Sequence, residues 1–273
     1  MDKSRLRERA ERLRSLHRGP ILVLPNAWDV ASARIVEQAG FPAVASSSAG
    51  VAAALGYPDG QLVSRAEMLE MVGRMARALD VPLTADLEAG YGDAGATVAA
   101  ALEAGAVGMN LEDLAAGGPG LVPVEAQLAA IGAARAAGDT LGVHFVINAR
   151  TDVYLGAVGE PAGRFDHAVQ RGRAYLKAGA DCVFVPGVRD EETIGRLAKA
   201  IEGPINILVG PGSPPVARLA ALGVARVSAG SGPQRAAHTA ARRAAEELRD
   251  HGTYKFADGI MTWAEVNALF PKR

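Results

Sequence analysis

Short apolar runs and longer amphipathic stretches alternate along the chain at a nearly constant interval. The runs are ILVLPN (21–26), AVASSS (43–48), PLTADLE (82–88), VGMNLED (107–113), HFVINARTD (144–152), CVFVPG (182–187), INILVG (205–210) and ARVSAG (225–230). Each suits a strand buried on both faces and is too short for a core helix. Between them apolar residues recur at helical spacing. In SRAEMLEMVGRMARAL (64–79), for example, Met68, Leu69, Val72, Met75 and Leu79 share a face, and Ser64 with Glu67 forms a capping box. Ala39-Gly40, Ala104-Gly105, Ala178-Gly179 and Leu222-Gly223 supply helix C-caps ahead of the next strand.

Eight strand-helix units in succession predict a (β/α)8 TIM barrel, an α/β fold, as a single domain over residues 1–273. The Arg-rich segment 2–17 predicts an N-terminal helix capping or flanking the barrel, its charges forming a solvated face. After the eighth helix comes a C-terminal extension, 251–273, carrying Ile260, Met261, Trp263, Val266, Leu269 and Phe270. Their spacing predicts a short helix starting near Thr262, and so much apolar surface is expected to pack on a neighbouring subunit.

Composition changes this picture little. A chain of 273 residues that is 49% hydrophobic can fill a large core, and a net charge of -1 gives no electrostatic reason for nucleic acid or an anionic membrane as partner. The expected ligand is a small molecule. The single cysteine, Cys182, cannot form an internal disulfide, the first residues lack an apolar signal region, and no apolar run approaches the roughly 18–20 residues of a membrane span. These features predict a cytoplasmic protein.

Candidate chemistry comes from the faces of the strands. Leu83, Ala85 and Leu87 form the apolar set of the third run, so Thr84, Asp86 and Glu88 point into the barrel. The same alternation turns Asn110 and Glu112 inward on the fourth run, with Asp113 on the other side, and Asn148, Arg150 and Asp152 inward on the fifth. Carboxylates this close repel one another unless a cation lies among them. An all-oxygen donor set without cysteine or histidine predicts Mg²⁺, with Mn²⁺ as the alternative, held by Asp86, Glu88 and Glu112. Because Mg²⁺ keeps much of its water, Asp86 is expected to bind directly and the two glutamates through water. Arg150 is expected to bind an anion. Asp59, in LGYPDGQ, is also a good β-turn residue, and SAGSG (228–232) before Pro233 offers a competing phosphate site.

The ordered set SSSAGVAAALGYPDG, TADLEAGYGD, GMNLED and INARTD resembles the isocitrate lyase/phosphoenolpyruvate mutase superfamily over nearly the whole chain, from about Leu24 to Arg243. The resemblance implies a Mg²⁺-dependent barrel that makes or breaks a C–C or P–C bond next to a 2-oxo acid through an enolpyruvate-like intermediate. It implies Asp86 as the direct metal ligand, and Asp59, Glu88 and Glu112 as its water-mediated shell. It implies Ser47, Ser48 and Ala49 as the turn holding the substrate carboxylate, with Arg150 and Asn148 beside the substrate. It also implies an oligomer, a dimer or tetramer that exchanges C-terminal helices. Tyr57, Tyr91 and a bound water remain candidates for the protonating group, and Tyr57, Asp59 and Arg150 are the candidate catalytic side chains.

The departures narrow the reading. The lyases' gating loop carries an acid/base cysteine, whereas here the stretch LAAGGPGLVPVEAQ has no Cys, Lys, Arg or His. FVPGVRD and ILVGPG leave the distal half of the pocket small or apolar. The expectation is therefore a lyase cleaving a smaller 2-oxo or 2-hydroxy acid, by decarboxylation or retro-aldol scission. P–C chemistry on a phosphonopyruvate-like substrate and a non-catalytic oxoacid-binding barrel are the alternatives.

Overall fold

Each of the eight apolar runs forms a parallel strand around one axis, in a computed structural model that describes residues 2–115 and 120–270. In chain order the elements are α1 (Lys3–Leu16), β1 (Leu22–Leu24), β2 (Asn26–Ala27), α2 (Val30–Gln38), β3 (Val44–Ser46), α3 (Ser48–Leu55), α4 (Arg65–Ala78) and β4 (Leu83–Asp86). Then follow α5 (Ala94–Ala104), β5 (Gly108–Glu112), α6 (Val124–Thr140), β6 (Val146–Arg150), α7 (Arg164–Lys177), β7 (Cys182–Val185) and α8 (Glu191–Ile201). The chain ends through β8 (Ile205–Leu208), α9 (Val216–Ala221), β9 (Arg226–Ser228), α10 (Gly232–His251) and α11 (Trp263–Ala268).

The sheet runs β1-β9-β8-β7-β6-β5-β4-β3-β2, so its two ends are consecutive pieces of chain on either side of Pro25. Proline has no N–H to continue a ladder. The first strand therefore changes partner there: Leu22 to Leu24 pair with Arg226 to Ser228, while Asn26 and Ala27 pair with Ala45 and Ser46. That switch closes a (β/α)8 barrel, as the alternation predicts.

The expected face of α4 is the buried one, and Ser64 and Glu67 do form its capping box. The N-terminal helix caps the barrel. Its Leu6, Arg9, Ala10 and Leu13 are buried, and Arg9 donates to the carbonyls of Ala76 and Leu79, so this helix closes the N-terminal mouth of the barrel instead of presenting only a solvated face. Leu13 reaches the barrel axis, where a side chain at Gly108 would lie 2.9 Å from it. Only glycine fits beneath that plug.

The tail forms its helix where expected, with Thr262 and Glu265 in a capping box. Leu269 is buried and its carbonyl accepts a 2.7 Å bond from Arg34 Nε, which fastens the end of α11 to the chain's own α2. Residues 271–273 lie outside the described residues. No described helix is long and apolar enough to cross a membrane.

Candidate functional site

The inward side chains at the C-terminal ends of β4, β5 and β6 build one rim. Asp86 sits at its centre, held by three donors: the Ser48 N–H at 3.1 Å and the Ser48 hydroxyl at 2.9 Å on Oδ2, and Asn110 Nδ2 at 3.2 Å on Oδ1. Its own N–H donates to Ser46 Oγ at 2.8 Å. Glu112 lies beside Arg150, with Oε2 2.7 Å from Nη1. The same guanidinium donates from Nε and Nη2 to Asp152 Oδ1 at 3.0 and 2.8 Å. Behind the rim Asp113 accepts from Tyr175, Arg171 and the Asp152 N–H, which ties the ends of β5 and β6 to α7.

The turn after β4 brings the third carboxylate in. Glu88 has a left-handed backbone (φ 51°), as does Tyr91 (φ 54°), an arrangement that costs free energy and recurs at functional sites. Gly90, at φ 82° and packed against Leu111 and Ala94, makes this tight return possible. The Glu88 carbonyl accepts the Glu112 N–H at 2.9 Å, so the two glutamates are joined through the backbone.

Electrostatics show what the rim lacks. Burial first, and then Asp86 and Asp59, push Glu88 up to about 7. Burial pushes Glu112 up to about 8 against the pull of Arg150. Burial and then Glu88, Asp86 and Glu112 drive the Tyr91 hydroxyl well above the ordinary phenol value, and that buried hydroxyl has no partner among the described residues. Carboxylates this strained toward neutrality fit a hard divalent cation, which would relieve all of them together. Among the described residues no three His, Cys, Asp or Glu side chains come close enough to ligate an ion directly. Oxygen donors of this kind suit a hard cation that keeps much of its water.

Other residues expected at the site are placed differently. Ser48 gives both its donors to Asp86, and the Ser47 N–H goes to Ala27. Ser47 Oγ caps α3 by accepting the Gly50 N–H at 3.2 Å, which leaves its own proton and the Ala49 N–H as the donors of this turn available to a ligand. Asn148 is buried, with its amide nitrogen donating to Asn110 Oδ1 at 2.8 Å. Tyr57 is exposed and its hydroxyl turns to Glu67 at 3.2 Å, away from the carboxylates. Asp59 lies on the exposed loop over Glu88, close enough to raise it, and caps Gly60. Two of the SAGSG donors offered to phosphate are occupied, since the Ala229 and Gly230 N–H groups both bond Asn26 Oδ1. Of the loop after Glu112, residues 116–119 lie outside the described residues, and Leu114 and Leu121 bridge its base.

Sequence reasoning passed over Asn110 as a support for Asp86, Phe184 beside Arg150 and Arg226 in the barrel floor. The alternation that placed Asp86 inward also places Phe184, Leu208 and Arg226 inward once the register is known.

Comparison with known proteins places this geometry. The sequence profile described as phosphoenolpyruvate phosphomutase matches residues 13–249. An uncharacterised protein of Mycobacterium tuberculosis is 35% identical over 86% of this chain and 87% of its own. An oxaloacetate decarboxylase of Rhodopseudomonas palustris is 32% identical over 93% of this chain and 89% of its own. The crystal structure of a phosphonopyruvate hydrolase in complex with oxalate and Mg²⁺ superposes with a TM-score of 0.85 at 28% identity, covering 96% of this chain and 94% of that one.

Proposed function

The chain belongs to the phosphoenolpyruvate phosphomutase family, and from that premise we propose that it is a Mg²⁺-dependent lyase cleaving a C–C bond of a small 2-oxo acid of the oxaloacetate type, or of a related 2-hydroxy acid, so that negative charge develops as an enolate. The observation that carries the reading is the rim itself: Asp86, Glu88, Glu112 and Arg150 converge, and the inward residues of β7 and β8 next to them are Phe184 and Leu208. The relatives' names span C–C and P–C chemistry, and the apolar distal wall favours release of a small fragment carrying no phosphoryl charge.

Asp86, with Glu88 and Glu112 acting through water, would hold the cation. Bound there, Mg²⁺ supplies Lewis-acid stabilisation for negative charge developing on the oxoacid. The chain's own groups do the rest. The Ala49 N–H and the Ser47 hydroxyl at the start of α3 bind a carboxylate, helped by the partial positive charge of the helix N-terminus. Arg150, fixed by Glu112 and Asp152 and 5.9 Å from the Phe184 ring, orients the second charged end. The Tyr91 hydroxyl keeps its proton beside the carboxylates and, with a bound water, is a candidate to protonate the enolate carbon. Phe184 and Leu208 keep water from the departing fragment.

The test is turnover of a panel by the purified protein with Mg²⁺. Oxaloacetate should give pyruvate and carbon dioxide, or acetate and oxalate, without phosphate. Phosphate from phosphonopyruvate would transfer the reading to P–C chemistry, and oxalate binding with no turnover of any member would make the barrel a binding protein.

The tail completes the proposal. Ile260, Met261, Trp263, Val266 and Phe270 are 60%, 43%, 83%, 40% and 42% exposed, a larger apolar surface than soluble monomers leave in water. A second copy of the chain covers it, in a symmetric dimer or a tetramer of such dimers. Truncation after His251 is expected to give monomers or aggregates by light scattering. An unchanged oligomer would place the interface elsewhere.

A further inference from the structure

Below the rim, β9 places an arginine where a barrel normally packs aliphatic side chains. Arg226 has 0% exposure and makes no ion pair among the described residues. Its Nη2 reaches Asn110 Oδ1 at 3.5 Å, the long end of such a contact, while Nε and Nη1 find no acceptor among the described residues. A buried guanidinium so poorly paired is costly, and its retention asks for a reason.

The reason lies in the direction of the hydrogen bonds. Asn110 must turn its amide nitrogen to the Asp86 carboxylate, so its oxygen faces the floor, where Asn148 Nδ2 at 2.8 Å and Arg226 Nη2 both donate to it. Every bond in this chain points its donor toward Asp86. The remaining floor atoms complement the two spare donors. Among the described residues Asn148 Oδ1 has no partner, and neither does His17 Nε2, which is an acceptor because Nδ1 donates to the Leu13 carbonyl at 2.9 Å. Thr84 Oγ1 is also unpartnered. Water can bridge such a mixed set of donors and acceptors, whereas an anion would be repelled by the acceptors. His17 is kept neutral by burial and then by Arg226, which is consistent with a cation nearby.

We propose that Arg226 is a positioning residue for the metal-binding carboxylate: from the barrel floor it fixes Asn110, and through Asn110 it holds Asp86 in the orientation that binds the cation. The inference rests on the reading of Asp86 given above. It also explains why the floor carries a charge at the expense of packing, since outer supports of a metal ligand set its geometry without touching the ion.

The experiment is titration of the full-length protein with Mn²⁺, followed by electron paramagnetic resonance of the free ion, alongside thermal unfolding. Arg226→Met keeps the apolar stem and removes the buried charge. It is expected to weaken Mn²⁺ binding by about 10–100-fold, while the metal-free melting temperature is unchanged or higher. A filler role predicts the opposite, lower melting with unchanged affinity, and that result would overturn the proposal. Should this variant not fold, Arg226→Lys retains a cation but not the fork and is expected to weaken binding several-fold, since one ammonium cannot serve Asn110 and the floor together. Wild-type affinity in the lysine variant would overturn the proposal equally. Asp86→Ala is the control: wild-type Mn²⁺ affinity there would refute the metal reading itself, whereas lost binding there with intact binding in the Arg226 variants would refute only this inference.

Discussion

Asp86→Ala is expected to abolish Mg²⁺-dependent turnover, a loss on the order of 10³-fold or more, while the barrel stays folded. The side chain sits at the strand end, on the rim, so its removal opens no core cavity; water can satisfy the freed Ser48 and Asn110 donors. Glu88→Gln should lose less, about 10–100-fold in metal affinity, because an amide can still orient a bridging water. Equal losses in the two variants would make Glu88 a direct ligand. Full activity in Asp86→Ala would sink the site.

A second readout separates metal binding from catalysis. Without a cation, Glu88 near 7 and Glu112 near 8 both carry protons at neutral pH to a substantial extent. Binding a cation must expel them, so Mg²⁺ affinity should rise with pH, with proton release greatest below about pH 7, falling through about pH 7 to 8 and gone above about pH 9. Calorimetric titration in two buffers of different ionisation heat measures it. Asp86→Ala should show neither binding heat nor proton release.

The strand order and the inward face of each strand were legible because parallel strands buried on both faces leave short apolar runs, and alternation within a run carries the face. Thus Asp86, Glu112 and Arg150 could be assigned to one rim from sequence. What sequence could not carry was the competition for donors. Ser48 looks like a ligand donor in the run SSSAG, yet the register that sets it beside Asp86 turns both its donors inward. Tyr57 is close to Asp59 in sequence, but the turn sends its hydroxyl to Glu67. Arg226 stayed hidden for another reason. A charged residue in a strand of three residues reads as a surface position, and only closure of the barrel by the Pro25 switch shows that this face has no solvent to reach. Arg9 is the same case on a helix, where a charge run masked one arginine whose stem and head serve the barrel's lower rim.

Arg150→Met is expected to cost both function and stability, and the stability loss should depend on pH in a defined direction. The guanidinium bonds Glu112 and Asp152, all three mostly buried, and breaking a buried pair by removing one partner costs about 3–5 kcal/mol when the partner stays charged. Glu112 already stands at about 8, raised by burial and held down by Arg150, so in the variant it should rise further. A carboxylic acid whose folded pKa exceeds its unfolded one makes the folded state bind more protons, and stability then falls as pH rises between the two values. Below the unfolded pKa the group is protonated in both states and contributes nothing. Wild-type Glu112 follows the same course up to about 8, so for this group the deficit of the metal-free variant in denaturant unfolding should be small at about pH 5 and widen as pH rises above about 8, with part of it restored by Mg²⁺. Turnover should drop by about 10²–10³-fold at every pH, as when a single preorganised donor to developing charge is lost. Arg150→Lys keeps the charge but cannot bridge two carboxylates, so it should recover stability more fully than turnover. Equal stability of Arg150→Met and wild type at the alkaline end would show that the arginine serves the substrate alone, with no part in holding the rim together.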